Sequence, residues 1–187
     1  MEVLNAIKTR WSNYKYKNKK IPKEVVEDIL NCGRLAPSAK NRQPWYFVVT
    51  CGKTKTNIIK VMKDKAKNIT NKSEMKRIGH PCSLLSTAKT IEKVPVLILV
   101  YRPDDIAWAK GDRLSIGACV ENMCLRATEL GLGSLLILDT VYVEKEIQEI
   151  THIENMELVC GLLLGYPDQK PRKKNRKKLR DIILWQQ

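Results

Sequence analysis

Residues 112–130 constrain this chain more than any other segment. They read as one long helix that is small and apolar nearly all round, which calls for deep burial. A chain of 187 residues can bury one sizeable core, and its length favours a single domain (1–187) over two. One domain has little interior with which to surround such a helix, so the helix is expected to lie along a subunit interface as well as in the core. Residues 94–101 (VPVLILVY) make a matching demand: they are apolar on both faces, as an interior strand covered from both sides requires.

The other segments supply that cover. Residues 2–9 carry Val3, Leu4 and Ile7 at helical spacing, and Pro22 opens a second helix with the stripe Val25, Val26, Ile29, Leu30 and Gly33. Pro37, Ser38 and Asn41 mark a loop, and residues 45–50 read as a strand rich in aromatic and β-branched side chains. Residues 55–67 place Ile58, Ile59, Val61, Met62 and Ala66 on an amphipathic helix, whereas 68–90 are polar and weakly patterned and receive no assignment. Gly131 and Gly133 stop the long helix, after which come a strand (134–138), a helix (143–150) and an interior strand (158–164). Helices and strands alternate irregularly, with too few regular β-α-β units for a doubly wound sheet, so the expected class is α+β. The tail (168–187) is basic but ends in Ile182, Ile183, Leu184 and Trp185, an apolar end that should dock somewhere.

The net charge of +14 suits a nucleic-acid surface, a membrane surface or a small polyanion, but the lysines spread over 15–20, 53–76 and 170–178, as a solvated surface would. No segment approaches the roughly 20 apolar residues of a bilayer span, and the N-terminus lacks a signal-peptide pattern, so a soluble cytoplasmic protein is expected. The sequons at Asn68 and Asn71 are accordingly read as chance. Six cysteines (32, 51, 82, 119, 124, 160) without C-x-x-C, and two histidines (His80, His152), argue against a zinc site or a disulfide framework and for reduced, mostly buried thiols. His80 and His152 are read as turn or surface residues.

Chemistry concentrates in three places. In residues 35–45 (LAPSAKNRQPW), Pro37 and Pro44 stiffen a loop, Ser38, Asn41 and Gln43 offer hydrogen bonds and Trp45 can cover an aromatic face. That composition fits a wall for a planar, polar-edged ligand and equally an ordinary helix-to-strand connection. Arg10, Trp11 and Ser12 pair a guanidinium with a hydroxyl, which suits phosphate or simply a polar loop. The run 171–180 (PRKKNRKKLR) suits phosphate, nucleic acid or solvent. Gly131-Leu132-Gly133-Ser134 is not a dinucleotide loop, because it leads from helix to strand, the reverse of the order such a loop needs.

Taken in order, these segments resemble the nitroreductase family of FMN enzymes over residues 6–179. The family's Arg-x-Ser opening looks like 10–12, its Pro-Ser-x-x-Asn-x-Gln-Pro-Trp loop like 37–45, its Gly-Leu-Gly like 131–133, its Leu-Gly-Tyr-Pro like 164–167 and its basic pair like Lys174 and Arg176. The resemblance implies a mixed central sheet flanked by helices, and a homodimer in which the tail embraces the partner. Arg10, Ser12, Lys174 and Arg176 would hold the FMN phosphate and ribityl chain from one subunit, with Pro37, Ser38 and Asn41 reaching the same flavin from the other. Trp11, Tyr14, Ala39, Gln43 and Leu136 complete the implied cofactor set. Tyr14 stands where many members carry Arg or Lys, and Trp11 where Arg or His is frequent. The implied activity is ping-pong transfer of reducing equivalents from NADPH or NADH to nitroaromatic, quinone or related acceptors. It requires no catalytic side chain and no metal. The family often has a cation near flavin N1, for which no residue of 68–80 is assigned, and the substrate-defining residues would lie in that same stretch. A flavin binder without turnover and a basic nucleic-acid module are the competing expectations.

Overall fold

A computed structural model describes residues 2–69, 81–171 and 175–186. The expectations for residues 70–80, including His80, and for Lys174 lie outside them.

Alternation along the central strand explains its two-sided apolar character. In β2 (Val96–Pro103), Leu97, Leu99 and Tyr101 face one core while Val96, Ile98 and Val100 face another. It pairs antiparallel with β1 (Tyr46–Thr50) and with β4 (Met156–Gly165), and β4 pairs antiparallel with β3 (Gly133–Ile137), giving the order β1-β2-β4-β3. A single parallel bridge, Ser12 to Ser134, adds the mixed character to the sheet edge.

On one face lie α3 (Gly52–Asn68), α4 (Pro81–Lys93) and α6 (Glu144–Thr151), which contribute Ile58, Met62, Leu84, Ile91 and Ile147. On the other lie α2 (Lys23–Arg34) and α5 (Ala109–Glu129), which contribute Ile29, Ile116, Cys119 and Met123. The α+β class is as expected. The helix α4 was not assigned from sequence: Leu84, Ala88 and Ile91 recur at helical spacing and are fully buried, but Ser83, Ser86, Thr87 and Thr90 dilute the pattern between them. The glycine turn after α5 is a Schellman cap. Gly131 stands at φ 72°, its N–H donates to Thr128 O, and Leu132 N–H donates to Ala127 O.

Three apolar surfaces are left uncovered by their own chain. The long helix is not buried all round: Ser115, Ile116, Cys119, Val120 and Met123 pack inward, while Leu114 is 78% exposed and Gly117 and Glu121 face outward beside it. Its small residues permit close approach, and this chain leaves that approach open. The stripe of α1 (Val3–Thr9) likewise points away from the core, with Val3, Leu4 and Ile7 exposed and only Ala6 buried. The apolar end of the tail is open in the same way, with Ile182, Leu184 and Trp185 exposed. No helix among the described residues is long and apolar enough to cross a membrane.

Candidate active site

The 37–45 loop leaves α2 and enters β1 in a conformation that needs holding. Lys40, Asn41 and Gln43 all have positive φ (50°, 54° and 49°). Non-glycine residues in that region cost about 1–3 kcal/mol each, and asparagine tolerates it best. Anchors come from inside the loop and from α5. Gln43 N–H donates to Ser38 Oγ at 2.9 Å, and Ala39 N–H donates to Ser115 Oγ at 3.2 Å. Arg42 Nε donates to the fully buried Asp112 at 3.2 Å, with its guanidinium 4.4 Å above the Trp108 ring. Pro44 is buried, Pro37, Asn41 and Gln43 are exposed, and Ser38 and Ala39 are half-buried. Among the described residues the side-chain amides of Asn41 and Gln43 have no hydrogen-bond partner, so the loop offers polar groups outward.

The second cluster forms where the chain leaves α1 and runs beside β3. Asn13 N–H donates to Ser134 O at 3.0 Å, the buried Asn13 amide donates to Trp11 O, and Tyr16 OH donates to Asn13 O at 2.8 Å. Arg10 pairs with Glu121 of α5 at 3.3 Å. Ser12 is half-buried and bridges to Ser134, and Tyr14 and Leu136 are each half-exposed, Leu136 being the outward position of β3. Gly133 makes this close approach possible, because a Cβ there would lie 2.5 Å from Asn13 Cγ and 2.9 Å from Asn13 Cβ. Gly133→Ala should therefore destabilise the fold by about 1–3 kcal/mol through overpacking. Thermal unfolding checks this, and an unchanged Tm would show that Asn13 yields freely.

The sequence-derived residues thus fall into two groups in one chain. The 37–43 group is tied to the N-terminal turns of α5, and the Arg10–Leu136 group to its C-terminal half and β3. Arg176 is exposed on the tail and near neither by any hydrogen bond or ion pair with them. A shallow apolar groove of about 280 Å³, lined by Val3, Ala6, Cys32, Leu35 and Leu125, opens beside α1 and α5. The residues missed from sequence are the anchors: Arg42, Trp108, Asp112, Ser115 and Glu121. None has a local signal, and Arg42 and Asp112 are 70 residues apart.

The thiols of Cys119, Cys124 and Cys160 are inert packing groups. Burial pushes Cys119 and Cys160 up to about 12 and Cys124 up to about 11, so they stay protonated. Cys51 is exposed, Cys32 half-buried. Among the described residues no His, Cys, Asp and Glu group could hold a metal ion, and His152 closes α6 at φ 55°, a turn role.

A four-stranded sheet between two helical layers, with polar loops at both ends of its longest helix, is the architecture of the nitroreductase-like proteins. A nitroreductase-like protein of Desulfovibrio desulfuricans, solved with FMN, shares it at a TM-score of 0.78 and 22% identity, covering 100% of this chain and 98% of that one. The chain belongs to the Nitroreductase family, whose sequence model matches residues 7–166, and so to a family of oxidoreductases. Among named relatives, a provisionally named NADH dehydrogenase/NAD(P)H nitroreductase of Archaeoglobus fulgidus is 33% identical over 90% of this chain and 88% of its own. The provisionally named NAD(P)H nitroreductase YfhC of Bacillus subtilis is 27% identical over 95% and 90%.

Proposed function

We propose that the whole chain, 1–187, is one FMN-dependent oxidoreductase domain that works as a homodimer, using NADPH or NADH to reduce nitroaromatic, quinone or related electron-poor acceptors. The observation that carries this reading is the pair of separated polar clusters on either side of an uncovered apolar surface. Leu114 and Gly117 of α5, Val3, Leu4 and Ile7 of α1 and the apolar end of the tail are all left exposed, an area that a second copy related by two-fold symmetry would cover. In this reading one chain's 37–43 loop and the other's Arg10 serve the same flavin.

The residues present fit FMN by their chemistry. Arg10 and Ser12, with Lys174 and Arg176 from the tail, supply cationic and hydroxyl donors for a phosphate. Pro37, Ser38, Ala39, Asn41 and Gln43 supply a stiff polar wall, and Trp11, Tyr14 and Leu136 supply flat or apolar surface for a ring system. FMN, when bound, supplies the redox chemistry, taking reducing equivalents from the nicotinamide and passing them to the acceptor in alternate half-reactions. The chain's own task is to bind, orient and exclude water, which is why no nucleophile or acid–base pair is needed.

The test is gel filtration of the protein after loading with FMN, with visible spectra taken across the peak, followed by NADPH or NADH without oxygen. Flavin absorbance that coelutes with a dimer and bleaches with a nicotinamide is expected. A folded protein that keeps no flavin, or keeps it unbleached by either nicotinamide, would overturn the redox reading.

A further inference from the structure

We propose that Arg42 is a positioning residue for the 38–43 loop, clamped between the carboxylate of Asp112 and the indole of Trp108 so that Asn41 and Gln43 are held outward. The proposal rests on the reading that this loop faces FMN. Arg42 is the one right-handed residue (φ −67°, ψ −26°) between Asn41 and Gln43, both left-handed, so its side chain is fastened at the centre of the strained stretch. Two of its three guanidinium nitrogens are turned to protein carboxylates. Nε donates to Asp112 Oδ1 at 3.2 Å, one terminal nitrogen reaches Asp105 at 3.5 Å, and the plane lies over Trp108, which Lys40 also approaches at 5.3 Å. With Nε committed to Asp112 and the guanidinium face to Trp108, Arg42 would act on a ligand through the loop.

Asp112 makes the clamp firm. It is fully buried on α5, its Oδ2 has no hydrogen-bond partner, and its other charged neighbour is Arg102, 4.0 Å away at the end of β2. Moving the loop would take from this carboxylate its only hydrogen-bonded cation among the described residues. The chain loop–Asp112–Arg102 continues through Glu157 to β4, so the loop is referenced to the two central strands. Lysine would not substitute, since it has neither the planar face nor the Nε–H in this geometry.

The experiment compares the full-length protein with Arg42→Ala, Arg42→Lys and Arg42→Ala/Asp112→Asn. Three things are read: the FMN dissociation constant by flavin fluorescence, the shape of the bound flavin's visible bands, and the rate of tryptic cleavage after Lys40 in the flavin-free protein. Arg42→Ala should raise the dissociation constant about 10- to 100-fold, as for loss of a charge-assisted anchor. It should also alter the flavin bands and speed cleavage after Lys40 by about tenfold. Adding Asp112→Asn should raise the dissociation constant little further, because the two act as one unit. Arg42→Lys should fall between, and it carries the test if the alanine variant does not fold. A lower Tm with wild-type affinity, bands and cleavage rate would overturn the proposal by showing a purely structural pair. Faster cleavage after Lys40 in a protein whose parent retains no FMN would overturn the flavin reading and sustain the clamp.

Discussion

Replacing Arg10 with alanine should weaken FMN binding about 10- to 100-fold while leaving riboflavin, which lacks the phosphate, nearly unaffected. Arg10 is 23% exposed and its partner Glu121 53% exposed, so their 3.3 Å pair is a wet ion pair of the kind that contributes only about 0–1 kcal/mol. A phosphate that takes the guanidinium gains charge-assisted hydrogen bonds of roughly 1.5–3 kcal/mol. A phosphate placed there would therefore win the competition. Glu121 itself opposes an anion, so Glu121→Gln should leave FMN binding intact or tighten it by a few-fold, and the gain should shrink with added salt. Equilibrium titration of flavin fluorescence, repeated at low and high ionic strength, reads all of these effects. Equal losses for FMN and riboflavin in Arg10→Ala would move Arg10 from phosphate binding to a role in holding the 10–14 segment.

Much of this arrangement was legible because periodicity reports burial. The strand at 94–101 and the helices carrying Ile29, Ile58 and Met62 announced their inward faces, and Gly131 announced a cap that the backbone bonds bear out. The pattern is silent about what covers an apolar surface. Val3, Leu4 and Ile7 of α1 look like core residues in the sequence, yet their own chain leaves them exposed, because burial can be supplied by another molecule. The same ambiguity is why the pattern of α5 calls for deep burial without saying how much of it the core supplies and how much a subunit interface would. Pro37, Ser38, Asn41 and Gln43 could be picked out as a rigid polar loop because proline and amide residues act locally. The clamp at Arg42 could not, since its physics lies in a contact between segments far apart in sequence. Glu121 was invisible for the same reason: an exposed-looking acid on a helix gives no sign that it faces Arg10.

Arg102→Met should be the most destabilising of these substitutions, by about 3–5 kcal/mol, because it strips the cation from carboxylates that the fold has taken out of water. Arg102 is 1% exposed at the end of β2 and makes an ion pair with Glu157 while donating to the carbonyl oxygens of Pro103 and Asp105. Glu157 keeps a second cation, Arg113, whose Nε lies 3.0 Å away, so it is only partly orphaned. Asp112 fares worse: fully buried, it would retain only Arg42 on one oxygen. For a chain of this length the loss corresponds to a fall in Tm of about 6–20 °C. The penalty is the unpaired charge itself, so neutralising it should recover stability: Asp112→Asn in the Arg102→Met background should cost less than in the parent, by at least about 1 kcal/mol. Denaturant unfolding of the four proteins completes the cycle. Additive losses would mean that water reaches Asp112, and that Arg102 and Asp112 share an address in the fold without sharing a charge balance.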